Sequence, residues 1–177
     1  LTAGNYIINE SNNILAWHEN ASVYNADSIR IIDVDAERDY VLTAAEGDKI
    51  KVIGFIGNDL IYGTAHTEDI YQDAQGETVF PMYKVNVVLY NEKNKEKKKE
   101  KESEDKKEEE QEEEEEQIET YQKENIYVTD VSIKENVMTF ARKVKNADGS
   151  FTDTSEDKYV NRKGEDKNLV ILSRITT

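Results

Sequence analysis

His18 and His66 are the two histidines of the sequence. Imidazole is the side chain best suited to proton transfer or metal ligation near neutral pH. Both stand just after a short apolar run, Ile14–Trp17 and Leu60–Ala65. The sharp reading is a shared metal or acid–base site. Neither has the His-x-x-x-His or flanking carboxylate spacing of such a site, so each is read as a strand-end histidine. Asp33, Asp35, Glu37 and Asp39 alternate like part of a calcium loop. The glycine of the sharp turn and the closing glutamate are missing, and the stretch is read as a turn between two strands. Asp148-Gly149-Ser150 is a turn and not a Gly-x-Ser-x-Gly nucleophile elbow. Gly54, Gly57 and Gly63 lead into no helix, so they form no phosphate loop. Trp17, Tyr62 and Phe140 could make an aromatic sugar or peptide platform, but read as core. No catalytic or cofactor-binding residue is assigned. His18, His66, Asp33 and Asp35 are the only metal candidates, and for each the structural reading outweighs the functional one.

Composition narrows the partners. Residues 92–119 hold 15 acidic residues and 8 lysines, nearly half of the chain's net charge of −15. An acidic surface repels phosphate backbones and anionic lipid, which argues against nucleic acid. No cysteine is present, which removes disulfides, thiol nucleophiles and cysteine-ligated zinc. No apolar run approaches the roughly 20 residues of a membrane-spanning helix. The start, Leu1–Tyr6, has neither the basic region nor the apolar core of a signal peptide. The expectation is a piece of a longer protein.

The elements that must position any site are strands. Tyr83, Val85, Val87 and Leu89 alternate with Lys84, Asn86 and Val88, a period of two. Further runs, rich in residues that suit a pleated surface, lie at Tyr6–Ile8, Ile29–Ile32, Tyr40–Leu42, Ile50–Phe55 and Ile126–Ile133. Asn12-Asn13, Asn58-Asp59 and Glu135-Asn136 separate paired runs as hairpin turns. Glu46-Gly47-Asp48, Gln75-Gly76 and Asp148-Gly149 mark further turns. The charged stretch has one apolar residue, Ile118, and cannot bury enough surface to offset its ordering entropy. It is expected as a solvated loop or frayed helix.

Three strand pairs look alike: Tyr6–Ile8 with Ile14–Trp17, Val52–Phe55 with Leu60–Tyr62, and Val128–Val131 with Val137–Phe140. A second pair follows each: Ser28–Val34 with Tyr40–Thr43, Met82–Tyr90 with Ile118–Gln122, and a weaker one near Ser150–Asp153 and Lys158–Asn161. Leu15, Leu60 and Met138 are 45 and 78 residues apart. Leaving out the insertion of about 28 brings the second spacing to about 50. Four short strands per roughly 40–50 residues is the signature of propeller blades. The predicted fold is all-β: consecutive four-stranded antiparallel meanders of β-propeller type, a partial propeller with a charged low-complexity insertion. The units are residues 1–48, 49–125 (with the insertion at about 92–119) and 126–177.

Ile14-Leu15-Ala16-Trp17, then Ser28-Ile29-Arg30-Ile31-Ile32-Asp33-Val34-Asp35, then Tyr40-Val41-Leu42-Thr43 resembles a blade of the TolB-type (WD40-like) propeller family. The likeness covers the first unit, part of the second, and the third loosely. It departs where that family has Pro-x-Trp-Ser-Pro-Asp-Gly and this chain has Asn9-Glu10-Ser11-Asn12-Asn13. The resemblance implies a non-catalytic binding or scaffolding module of a larger bacterial protein, exported or in the cell envelope. It would recognise a protein or glycan and pack against further blades of a longer chain or an oligomer partner. The alternative is the propeller portion of a peptidase or glycan-active enzyme, marked by carboxylates converging with His18 or His66 in one pocket.

Overall fold

The computed structural model describes residues 6–19, 22–90, 117–163 and 170–174. Among the described residues the fold is all-β apart from one turn of 3-10 helix at Thr67–Asp69. Strands β1 (Tyr6–Ile8), β2 (Ile14–His18), β3 (Ser28–Asp33) and β4 (Arg38–Thr43) form a first antiparallel sheet, each beside the next. The second sheet contains β5 (Asp48–Ile56) and β6 (Asp59–His66). A small hairpin of β7 (Tyr71–Gln72) and β8 (Thr78–Val79) then leaves it. Strands β9 (Lys84–Val88) and β10 (Ile118–Tyr121) complete it in the order β10-β9-β6-β5. The third sheet is β11 (Ile126–Lys134), β12 (Val137–Lys145), β13 (Phe151–Lys163) and β14 (Val170–Arg174).

Turn chemistry sets these boundaries. Asn12 and Glu135 take positive φ of 56° and 55° between their strands, the conformation a tight hairpin needs. The second hairpin turns at Gly57-Asn58, one residue before the expected Asn58-Asp59, because Gly57 takes φ 59° without a Cβ penalty.

Alternation along each strand then builds two dry layers. From the first sheet Ile14, Ala16, Ile29 and Ile31 meet Ile50, Val52, Leu60, Tyr62 and Val88 of the second. The opposite face of the second sheet presents Ile61, Ala65, Val85 and Val87 to Val128, Met138 and Phe140 of the third. The second sheet is therefore covered on both sides. β6 accordingly reads as one buried run from Asp59 to Ala65, as expected for a strand with no solvent face. Packing at the second layer is tight: a Cβ built on Gly63 would lie 1.9 Å from Met82 Sδ.

Backbone bonds tie the sheets as well. The N–H groups of Ile50 and Val52 point off the free edge of β5. Ala26 O accepts from Ile50 at 2.9 Å and His18 Nε2 accepts from Val52 at 3.0 Å. Met82 and Val128 exchange two bonds of 2.8 Å and cap the edge of β11 in the same way. Covering an edge strand removes its unpaired donors and acceptors.

Two expectations are corrected. The third unit does not hold a pair near Ser150–Asp153 and Lys158–Asn161. Phe151–Asp153 and Lys158–Asn161 lie in one 13-residue strand, β13, which runs between β12 and β14. The polar sequence of β13 hides a strand because Asp157, on its buried face, is paired with Arg142 at 2.9 Å and with Lys123 at 2.7 Å. A register shift opposite Phe140/Arg142 accommodates the strand without a turn. Trp17 is not core like Tyr62 and Phe140. It is only half-buried, on the outer face of the first sheet. The expectation for the charged stretch falls, over residues 91–116, outside the described residues.

Candidate functional site

Of the four sequence candidates, three are held in structural roles. His18 Nε2 accepts the Val52 N–H, so that nitrogen carries no proton and serves the joint between two sheets. Asp33 Oδ1 accepts from the N–H groups of Asp35 and Ala36, both at 3.1 Å, closing the β3–β4 turn. Asp35 Oδ2 accepts from Asn13 Nδ2 at 2.9 Å, joining that turn to the β1–β2 hairpin. Among the described residues no group of three histidine or carboxylate side chains is placed to hold a metal.

His66 is different. It ends β6 and pairs in register with Asp48 at the start of β5. Asp48 Oδ1 lies 2.7 Å from His66 Nδ1, and Oδ2 accepts from the Tyr83 hydroxyl at 2.6 Å. The His66 and Tyr83 rings stack at 4.1 Å between centroids, 9° between planes. Asp48 is buried while the His66 side chain is 43% exposed. This arrangement fixes Nδ1 on the carboxylate and leaves the ring accessible. Burial first, and the bond to Asp48 second, push the Tyr83 phenol up to about 12.

Two open clefts flank this cluster and share Asp48. One, of about 600 Å³, is lined by Glu46, Gly47, His66, Thr67 and Glu68. The other, of about 340 Å³, opens between the end of the first sheet at Thr43–Ala45 and the second sheet. Its floor follows from strand register. Thr64 pairs with Lys84, and Tyr62 with Asn86, which pairs with Thr120. All five side chains share the face turned toward the first sheet. Lys84 Nζ lies 5.2 Å from the Tyr83 ring centroid. Thr120 Oγ1 donates to Asn86 Oδ1 at 2.8 Å. Burial raises the Tyr62 phenol above its ordinary range.

Sequence reasoning missed Asp48, Thr64, Tyr83, Lys84 and Asn86. Asp48 stood in a turn signal, and the others in strand patterns that give no pairing. Only the β5–β6 and β6–β9 registers bring them together.

The first sheet carries a second feature. The side chains opposite its packed layer form two rows, Tyr6–Trp17–Arg30–Val41 and Ile8–Leu15–Ile32–Asp39. Tyr6, Ile8 and Val41 are exposed by 45%, 48% and 44%, and no described residue covers this face. In the middle of it Arg30 forks onto Asp39 with two bonds of 2.7 Å, and this pairing holds the Asp39 carboxyl below its usual range.

No known protein family, no curated protein and no solved structure matches this chain.

Proposed function

We propose that the chain is a non-catalytic binding or scaffolding module, a run of propeller-type blades whose stack continues beyond β1. The observation that carries this is the uncovered apolar face of the first sheet. Its rows correspond to Val52–Tyr62–Asn86–Thr120 and Phe55–Leu60–Val88–Ile118 in the second sheet. In the third they correspond to Val131–Phe140–Asp157 and Ile133–Met138–Tyr159. Each central row has an aromatic residue on the second strand and a polar one on the third. In the second and third sheets that face is buried under the sheet before it. Large contiguous apolar faces mark interaction surfaces. The occupant is a further sheet of the same kind, from a longer chain or an oligomer partner. A bacterial exported or envelope location, and a protein or glycan ligand, rest on the TolB-type resemblance alone.

Dye binding and sedimentation test this reading. Expressed alone, the chain binds an apolar fluorescent dye and self-associates, and the double variant Ile8→Lys/Val41→Lys abolishes both. A monomer that binds no dye at this face would overturn it.

A catalytic reading has one observation in its favour, the convergence of Asp48 and Tyr83 on His66. The residues lining the two clefts include no serine, and the chain has no cysteine. An acyl-enzyme route on serine or cysteine therefore has no nucleophile there.

A further inference from the structure

We propose that the 340 Å³ cleft between the first and second sheets binds a small hydroxylated carboxylate, of the size and chemistry of a sugar acid. The inference stands apart from the stacking of further sheets. Three of its polar side chains are more than nine-tenths buried: Tyr62 at 8%, Thr64 at 8% and Asn86 at 6% exposure. Polar groups on buried residues are normally paired. Here the Tyr62 hydroxyl, the Thr64 hydroxyl and Asn86 Nδ2 have no hydrogen-bond partner among the described residues, and none of the three is sealed from solvent, so each polar tip opens to the cleft. All three lie on cleft-lining residues of adjacent strands, as does Lys84, whose ammonium makes no ion pair among the described residues.

The chemistry of these four groups selects the ligand. Lys84 Nζ and Asn86 Nδ2 can only donate. The Oδ1 of Asn86 is already taken by Thr120, which fixes the amide with its N–H groups free. The two hydroxyls can donate or accept, which suits ligand hydroxyls. Asp48, the acidic residue of the lining, has one oxygen on His66 and the other on Tyr83, so it offers little to a cationic ligand. One ammonium balances one negative charge. A dianion such as phosphate gains no second cation and meets the Asp48 carboxylate. The volume lies within the range of small-molecule sites, about 300–1,000 Å³, and Tyr62, Ile50 and Ile118 supply apolar wall for a sugar ring.

The test is a ¹⁵N–¹H titration of the whole chain with glucuronate, using glucose and inorganic phosphate at matched ionic strength as comparators. Glucuronate shifts the Asn86 side-chain amide and the backbone amides of Thr64 and Lys84 saturably. Glucose binds at least about tenfold more weakly, because it lacks the charge-assisted bond, and phosphate gives no saturable shift. Lys84→Gln weakens glucuronate about tenfold and leaves the spectrum elsewhere unchanged. Thr64→Val, close in shape, gives a smaller loss and serves as the readout if Lys84→Gln perturbs the fold. Absent or non-saturating shifts, equal affinity for glucose or phosphate, or undiminished binding by both variants would overturn the proposal.

Discussion

The two outer faces of the stack are built from the same strand geometry and opposite chemistry. On the first sheet, Tyr6, Ile8, Leu15, Trp17, Ile32 and Val41 share the face turned away from the core. On the third, that face carries Asp130, Ser132, Lys134, Thr139, Glu156 and Lys158, with Val137, Ala141 and Val160 among them. A half-solvated antiparallel strand normally alternates apolar-in and polar-out. The third sheet follows that rule on its first strand, where Val128, Val131 and Ile133 face in and Asp130, Ser132 and Lys134 face out. The first breaks it, and its outward positions resemble the inward ones of its neighbours. The difference teaches that face chemistry, and not strand count, records whether a sheet is meant to have a neighbour.

The strongest way to sharpen the contrast is to truncate the aromatic residue at the same register position on a covered and an uncovered face. Phe140→Ala, at a site 1% exposed, lowers unfolding free energy by about 3–5 kcal/mol. Trp17→Ala in the isolated chain loses about 1 kcal/mol, the worth of a half-buried side chain. Urea denaturation reads both, and equal losses would mean that the first sheet's outer face is already covered. Next in size is the interior layer itself. Gly63→Ala drives a methyl into Met82 and costs about 1–3 kcal/mol, and Met82→Ala in the same chain recovers part of it. His18→Phe leaves the buried Val52 N–H without its acceptor and costs about 1–3 kcal/mol, with faster amide exchange at Val52.

A spectroscopic effect follows at the margin of the first layer. The Tyr83 phenol is held neutral up to about 12, against an ordinary value of about 10. Because the folded value is raised, its stabilising contribution is complete below pH about 10 and fades as pH climbs to about 12. Phenolate absorbance shows late-titrating tyrosines, Tyr62 and Tyr159 among them, and Tyr83→Phe removes the one held up to about 12. Smallest of all, Thr139→Lys on the third sheet's outer face changes stability by no more than about 0.5 kcal/mol and leaves association unaltered.

Much of the framework is readable along the chain. Tyr6–Ile8 was expected as a strand with the ends it has, and the runs at Ile14, Ile29, Tyr40, Ile50, Leu60 and Ile126 fall within strands. Their alternation and turn residues are local signals, and local signals survive without tertiary knowledge. β13 was not legible because its buried face holds a charge, Asp157, whose partners are Arg142 of β12 and Lys123 of the β10–β11 turn. The β7–β8 hairpin was missed because two-residue strands carry no period. Trp17 was expected inside because it stands at the same repeat position as Tyr62 and Phe140. Composition gives no sign of which face has a sheet against it. The candidate site was half legible: His66 was marked, and its carboxylate was not.

From its own order of residues the chain determined which segments are strands, where they turn, and that they pair with their neighbours in meanders. Those outcomes depend on alternation and on residues that tolerate positive φ, both properties of a few consecutive positions. Tertiary structure alone decided that Asp48 lies against His66 and Tyr83. It alone decided that Asn86 is buried with its amide turned to a cleft, and that no described residue covers one apolar face. These depend on register and on sheet-to-sheet contact, which join side chains up to 35 residues apart at the cluster and leave no mark in any short window of sequence.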